Sequence, residues 1–284
     1  VYFDMEGYTL PPSDSWFVYQ DNGGSGHYDV YIFNLEWGYY GWVQAEPDSN
    51  GQYIGGDNEN SADVTELHAI ISYMGIRNNY FDFPGTTIDN LQTTISHEFF
   101  HAVQYGYDAY EEGWIKEASA VWMEELHYDD INICYQFLPE YFEHPDWGPN
   151  YNVSRGYGAY IYISYLVDNH FNSGFVKSFW ENSINYDSYN ESYSIQTLRE
   201  TITQQNPDFT SPIFDDDLFE KTTNDFHIAN ALFTNDSIYD PIYHYDEIDN
   251  PDWPITEPIY EGEIISFGSD PIFIVDKLLG TFGA

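Results

Sequence analysis

At Pro84-Gly85 the apolar pattern of this chain changes period, and that change constrains the fold more than any other feature. Before it, β-branched and aromatic runs read as strands: Asp29-Val-Tyr-Ile-Phe-Asn-Leu, Tyr39-Tyr-Gly-Trp-Val-Gln-Ala and His68-Ala-Ile-Ile-Ser-Tyr-Met-Gly. After it, apolar residues recur at helical spacing. Leu91, Ile95, Phe99, Ala102 and Val103 predict a helix from Thr87 to about Tyr105. Trp114, Ala118, Val121, Trp122 and Leu126 predict a second over 114–127. Helix also fits about 131–143, Gly156 to about His170, 174–183, 194–204 and about 216–233. Residues 1–27 and 47–63 read as loops, and from 238 onward Pro and Asp punctuate short extended pieces, Gly262-Glu-Ile-Ile-Ser-Phe among them. Strands followed by helices predict an α+β fold, a strand-rich N-terminal lobe and then a helical lobe. The expected division is a domain over 1–235 and an extended C-terminal segment over 236–284.

The first of those helices carries a constellation with chemistry in it. Residues 96–105 read Ser-His-Glu-Phe-Phe-His-Ala-Val-Gln-Tyr. On a helix, His97 and His101 share one face one turn apart, close enough to hold one ion. Glu98 is offset by one residue, so its carboxylate can reach a metal-activated water without ligating the metal. A catalytic zinc takes three protein ligands and keeps one position open, so a third ligand is required. The best candidate is Glu117, sixteen positions past His101 on the following helix. Glu124, two turns further, could orient a ligand imidazole through its free N–H. An oxyanion donor is expected from a later helix. Ser154-Arg155-Gly156-Tyr157-Gly158 opens one, making Tyr157 the choice and Arg155 the second, against the alternative that Tyr157 only packs.

These stretches resemble a known group. His97-Glu-Phe-Phe-His101 followed by Trp114-Ile-Lys-Glu-Ala-Ser-Ala-Val-Trp-Met-Glu124 is similar to the gluzincin clan of zinc peptidases, and in particular to a family of secreted prokaryotic HExxH metalloproteases. The shared features are Tyr28–Tyr31, His97–Asp108 and Tyr157-Gly158, and the likeness covers about 25–235. It implies a zincin-like fold with the metal site between the lobes. It also implies a Zn2+ cofactor on His97, His101 and Glu117, Glu98 as general base, and a peptide or protein substrate. In this clan the strand before the active-site helix often pairs with extended substrate, which here points to Ala69–Gly75. Ala118 departs from the glycine of the clan's aminopeptidases, and nothing resembles their Gly-Ala-Met-Glu-Asn motif, so an endopeptidase is expected. Members of the family continue past the point matched by the end of this chain, so 236–284 reads as the start of a truncated downstream β region.

Composition removes other classes. With 7 Lys+Arg against 48 Asp+Glu, a formal charge of −41, no basic patch can be built for nucleic acid, and an anionic membrane surface is repelled. No run of eighteen apolar residues predicts a membrane span. The single cysteine, Cys134, reads as a small buried hydrophobe. The start at Val1 without Met suggests a mature or fragmentary product, and the sequons at Asn152, Asn190 and Asn235 matter if the protein is exported, so an extracellular or cell-surface location is expected. Asp21-Asn-Gly-Gly-Ser-Gly-His-Tyr-Asp29 reads either as a structural Ca2+ loop or as an ordinary Gly-rich turn, and Asp48-Ser-Asn-Gly51 more weakly so. His127, at the end of its helix, would suit the helix dipole as a cation. Two rivals stand beside the peptidase reading: a surface or filament-forming protein that retains a peptidase fold, and a hydrolase of non-peptide esters or amides using the same site.

Overall fold

The computed structural model describes residues 7–14, 26–36, 38–47, 50–53, 55, 67–145, 147–184, 194–211, 213–214, 216–233, 235, 240–255, 262–267 and 270–275, the last two stretches in backbone only. The architecture is mixed α+β, as the order of the patterns predicts. Strands β1 (Val30–Phe33), β2 (Gly41–Ala45) and β3 (Ser72–Arg77) form one sheet in the order β1-β3-β2, with β1 parallel and β2 antiparallel to β3. The central strand is the buried one: Met74 and Ile76 lie in the core, whereas all four residues of β1 are exposed. Trp42 pairs with Gly75 across the sheet, and a Cβ on Gly75 would come within 2.6 Å of the indole. Arg77 ends β3 with its buried guanidinium donating to the carbonyls of Leu35, Glu36 and Tyr39, which fixes the connection from β1 to β2. The free edge expected at Ala69–Gly75 is therefore corrected: β3 has a partner on each side, and β1 and β2 are the outer strands among the described residues.

Gly85 turns the chain at φ +81°, a backbone region that glycine enters without steric cost, and α1 (Thr87–Tyr107) follows. Thr86 and Asp89 form a reciprocal capping box, each side chain accepting from the other's backbone N–H at 3.2 Å. Helix α2 (Gly113–Tyr128) matches its pattern. The helix expected over 131–143 instead becomes a 3-10 turn (Asn132–Phe137) and then α3 (Leu138–Glu143). Pro139 in the first turn of α3 explains the break, because a helix running through it would lose a hydrogen bond and clash with the preceding turn. The helix expected from Gly156 to His170 divides as well, into α4 (Val153–Gly158) and α5 (Tyr160–Asn169). Gly158 lets α4 press on Tyr141, where an added Cβ would meet its Cβ at 2.8 Å. Helices α6 (Gly174–Asn182), α7 (Ser194–Gln205) and α8 (Leu218–Leu232) follow their patterns. Strands β4 (Gly262–Phe267) and β5 (Asp270–Val275) pair antiparallel.

The chain clusters into two compact units, interleaved in sequence. One comprises Val1–Glu112, Met123–Ile133 and Trp180–Tyr193; its core includes Ile71, Met74, Phe100, Val103, Tyr107 and Trp180. The other comprises Gly113–Trp122, Cys134–Phe179 and Ser194–Ala284, with Tyr162, Tyr165, Leu166, Leu198, Ile202 and Phe226 in its core. Cys134 is buried, as expected. No helix among the described residues is long and apolar enough to cross a membrane.

Candidate metal centre

Helix α1 buries a polar stripe as well as an apolar one. Asn90, Thr93, Thr94, Ser96, His97, Glu98 and Gln104 are all buried, and each calls for a partner. Ser96 donates to the carbonyl of Met123 at 3.0 Å and accepts from His127 Nδ1 at 2.8 Å. Glu124 then meets His97 Nδ1 through Oε1 at 2.7 Å. These contacts fasten the C-terminal half of α2 along the His97 turn of α1. His127 sits in the last turn of α2, as expected, and burial lowers its pKa from the usual value.

The two histidines are both held from behind. Glu124 serves His97, and the amide oxygen of Gln104 lies 2.8 Å from His101 Nδ1. A carboxylate and an amide oxygen only accept, so each Nδ1 carries the hydrogen and each Nε2 keeps its lone pair. Those two Nε2 atoms face one another at 3.0 Å, with the rings at 87°. Two lone pairs at that distance repel unless a cation or a proton lies between them.

Glu117 lies two turns before Glu124 on the same unbroken helix. One of its carboxylate oxygens and one nitrogen from each of His97 and His101 all fall within 4.8 Å of one another. Ligands at zinc distances of about 2.0–2.1 Å stand about 3.3 Å apart around a tetrahedral ion, a separation inside the 4.8 Å that bounds these three groups. Two imidazoles with the tautomer fixed from behind, plus one carboxylate, are a donor set that suits zinc. The residues present fit that ion.

Glu98 is buried and turned toward the sheet. A Cβ added at Gly41 would stand 2.8 Å from Glu98 Cγ and 2.9 Å from Thr94 Cγ2, so only glycine lets β2 lie this close to α1. Burial pushes the phenols of Tyr28 and Tyr80 up in pKa, and the charge of Glu98 adds to both, so both remain protonated beside it.

Tyr157 is half-buried and stacks on Phe137, ring centroids 4.8 Å apart at 23°. Its neighbour Gly156 meets α2 closely: a Cβ there would lie 3.1 Å from Trp114 Cα and 3.8 Å from Glu117 Cβ. Arg155, the second choice as donor or carboxylate binder, is corrected. Its buried guanidinium donates to the carbonyls of Tyr141 and Trp147 and lies over the Tyr141 ring, so it braces the fold. His68 is a buried partner of Asp108 at 3.1 Å. Most of the loop from Asp21 and the start of Asp48–Gly51 lie outside the described residues.

Sequence reasoning missed Gln104 and Gly41. Gln104 was within reach, since a residue three positions past His101 shares its helix face. Gly41 had no local signal at all. No family model, no curated protein and no solved structure matches the chain.

Proposed function

We propose that this chain is a zinc-dependent endopeptidase of zincin type, acting outside the cell or at its surface, with His97, His101 and Glu117 holding the metal and Glu98 as general base. The observation that carries this reading is the pair of Nε2 atoms 3.0 Å apart, each backed by an acceptor on its own Nδ1. A proton could bridge two such nitrogens; a divalent cation would engage the Glu117 carboxylate as well, and so uses all three groups.

When bound, zinc supplies Lewis acidity that lowers the pKa of water and polarises a carbonyl. The chain's own residues do the rest. Glu124 and Gln104 keep both imidazoles in one tautomer and orientation, which raises their basicity as ligands. Glu98 accepts the proton of the attacking water and returns it to the leaving amine. Its carboxylate is confined by Gly41 and Thr94, so little orientational freedom remains to be lost as the reaction proceeds. Strand β2 is an edge among the described residues and touches the Glu98 turn, so extended peptide is read as pairing there, in place of Ala69–Gly75. Tyr157 remains the proposed oxyanion donor.

Two measurements test the proposal together: metal analysis of the purified chain, and digestion of a peptide library by wild type and Glu98→Gln. The expected result is one zinc per chain in both, with cleavage of internal peptide bonds by wild type alone. Wild-type-like cleavage by Glu98→Gln, or a His97→Ala/His101→Ala protein that still binds zinc stoichiometrically, would overturn it.

A further inference from the structure

A second group of ligand-type side chains lies in the sheet unit, apart from the histidine site. Asp14 belongs to the segment before the sheet, Asp29 immediately precedes β1, and Glu46 immediately follows β2. One carboxylate oxygen from each lies within 4.8 Å of the others. All three line a cavity of about 30 Å3 that Tyr28, His27 and Ser72 help to close.

Three acidic side chains together mean little on a chain of charge −41. Asp14 sets this group apart. It is only 7% exposed, it faces the cavity, and its Oδ1 has no hydrogen-bond partner among the described residues. A buried carboxylate oxygen without a donor is costly unless something positive answers it. Among the described residues, no Lys or Arg lines the cavity. Burial raises the pKa of Asp14 and of Glu46, and repulsion within the trio raises both further, so the isolated protein holds these groups under electrostatic stress.

The backbone shows what would be joined. The Asp29 carbonyl accepts from Met74 N at 3.0 Å, and Glu46 N donates to Ile71 O at 2.9 Å, so both acids are fixed to β3 and its approach. Among the described residues, Asp14 has no such tie to the sheet. Its segment is held through Ser13 to the Gly26 carbonyl at 2.9 Å and through Thr9 N to the Tyr107 phenol at 3.0 Å.

We propose that Asp14, Asp29 and Glu46 form a site for one calcium-class divalent cation that fastens the segment before the sheet onto β1 and β2. An all-oxygen, all-carboxylate donor set selects a hard ion over zinc. Oxygens on opposite sides of Ca2+ stand about 5 Å apart, so three carboxylate oxygens within 4.8 Å of one another can share one such ion, whereas Mg2+ gives up its waters reluctantly and is less suited to an all-protein set. The remaining coordination positions fall to water and main-chain carbonyls.

The test uses the full chain in 0.5 M NaCl, where ionic strength suppresses diffuse binding to the acidic surface, with calcium removed on a chelating resin and zinc restored. Calorimetric titration with CaCl2 should show one saturable site, with MgCl2 at least tenfold weaker. Asp14→Asn and Glu46→Gln should each weaken calcium at least tenfold, whereas His97→Ala/His101→Ala should leave it unchanged, whatever becomes of the zinc proposal. Melting temperatures add a sign. Without calcium the two acid-site variants should melt at or above wild type, because a repelling charge is gone; with 1 mM CaCl2 wild type should melt higher. Absence of a saturable calcium site in wild type overturns the proposal even if a variant fails to fold. So does equal calcium affinity in the variants, or variants that melt below wild type with and without calcium, as a plain hydrogen-bonding role requires.

Discussion

Gly41 of β2 lies against Glu98 of α1 so closely that a Cβ on Gly41 would stand 2.8 Å from Glu98 Cγ and 3.1 Å from its Oε1. Gly41→Ala must therefore displace either the carboxylate or the strand. The expected outcome is a fall in kcat of roughly 10- to 100-fold with zinc retained, since displacement of a reacting group by about 1 Å costs up to 10²-fold. Stability should drop by about 1–3 kcal/mol from overpacking. Steady-state kinetics with metal analysis and thermal melting checks this, and a wild-type kcat would mean that the strand gives way and the Glu98 carboxylate keeps its place.

Glu124 orients His97 from behind at 2.7 Å. Glu124→Ala frees the ring to change tautomer and should weaken zinc roughly 10- to 100-fold, in keeping with other groups that support a ligand imidazole. Competition against a chromophoric chelator measures it. Undiminished affinity would mean that packing alone fixes the imidazole.

Tyr157 stacks on Phe137, and the neighbouring Gly156 brings α4 against the Glu117 turn. Tyr157→Phe keeps the stack and removes only the hydroxyl. If the phenol stabilises the oxyanion, kcat falls roughly 10²-fold or more while KM, zinc content and melting temperature hold. Unchanged kcat assigns the residue to packing.

His170 has a pKa lowered to about 4, first by burial and then by the charge of Lys221. Asp225, 3.5 Å from its Nε2, does not reverse this, because it is paired with Lys221 at 2.5 Å. In the unfolded chain histidine titrates near 6.5, so between about pH 6.5 and 4 the unfolded state binds more protons and stability falls with pH. Protonation of surface acids relieves repulsion over part of the same range, so the comparison is with His170→Gln. Wild type should lose more melting temperature than the variant between pH 7 and pH 4.5, and equal losses would show that the ring is protonated in the fold.

With a formal charge of −41 and only seven cationic side chains, repulsion among surface acids should weaken as salt screens it. Melting temperature should rise from low salt to about 1 M NaCl, where the screening length is about 3 Å. A flat profile would mean that the acids are already spaced beyond effective repulsion.

The sequence by itself determined the elements whose causes are local. Capping at Thr86, helical spacing through α1 and α2, and the four-residue interval from His97 to His101 are properties of neighbouring residues, and they fix which side chains share a face. The carboxylates at Glu117 and Glu124 were legible for the same reason, seven residues apart on one helix. Tertiary structure decided the rest. The order β1-β3-β2 put the third strand at the centre and left the first and second as outer strands among the described residues, because pairing depends on which strands meet and not on their own patterns. Arg155 became a brace, because the nearest carbonyls lay at Tyr141 and Trp147, 14 and 8 positions away in the chain. Gly41 against Glu98, and Asp14 beside Asp29 and Glu46, join residues separated by long stretches of chain. No periodicity or spacing rule reports such a meeting, since its cause is the packing of whole elements and the exclusion of everything larger than what is there.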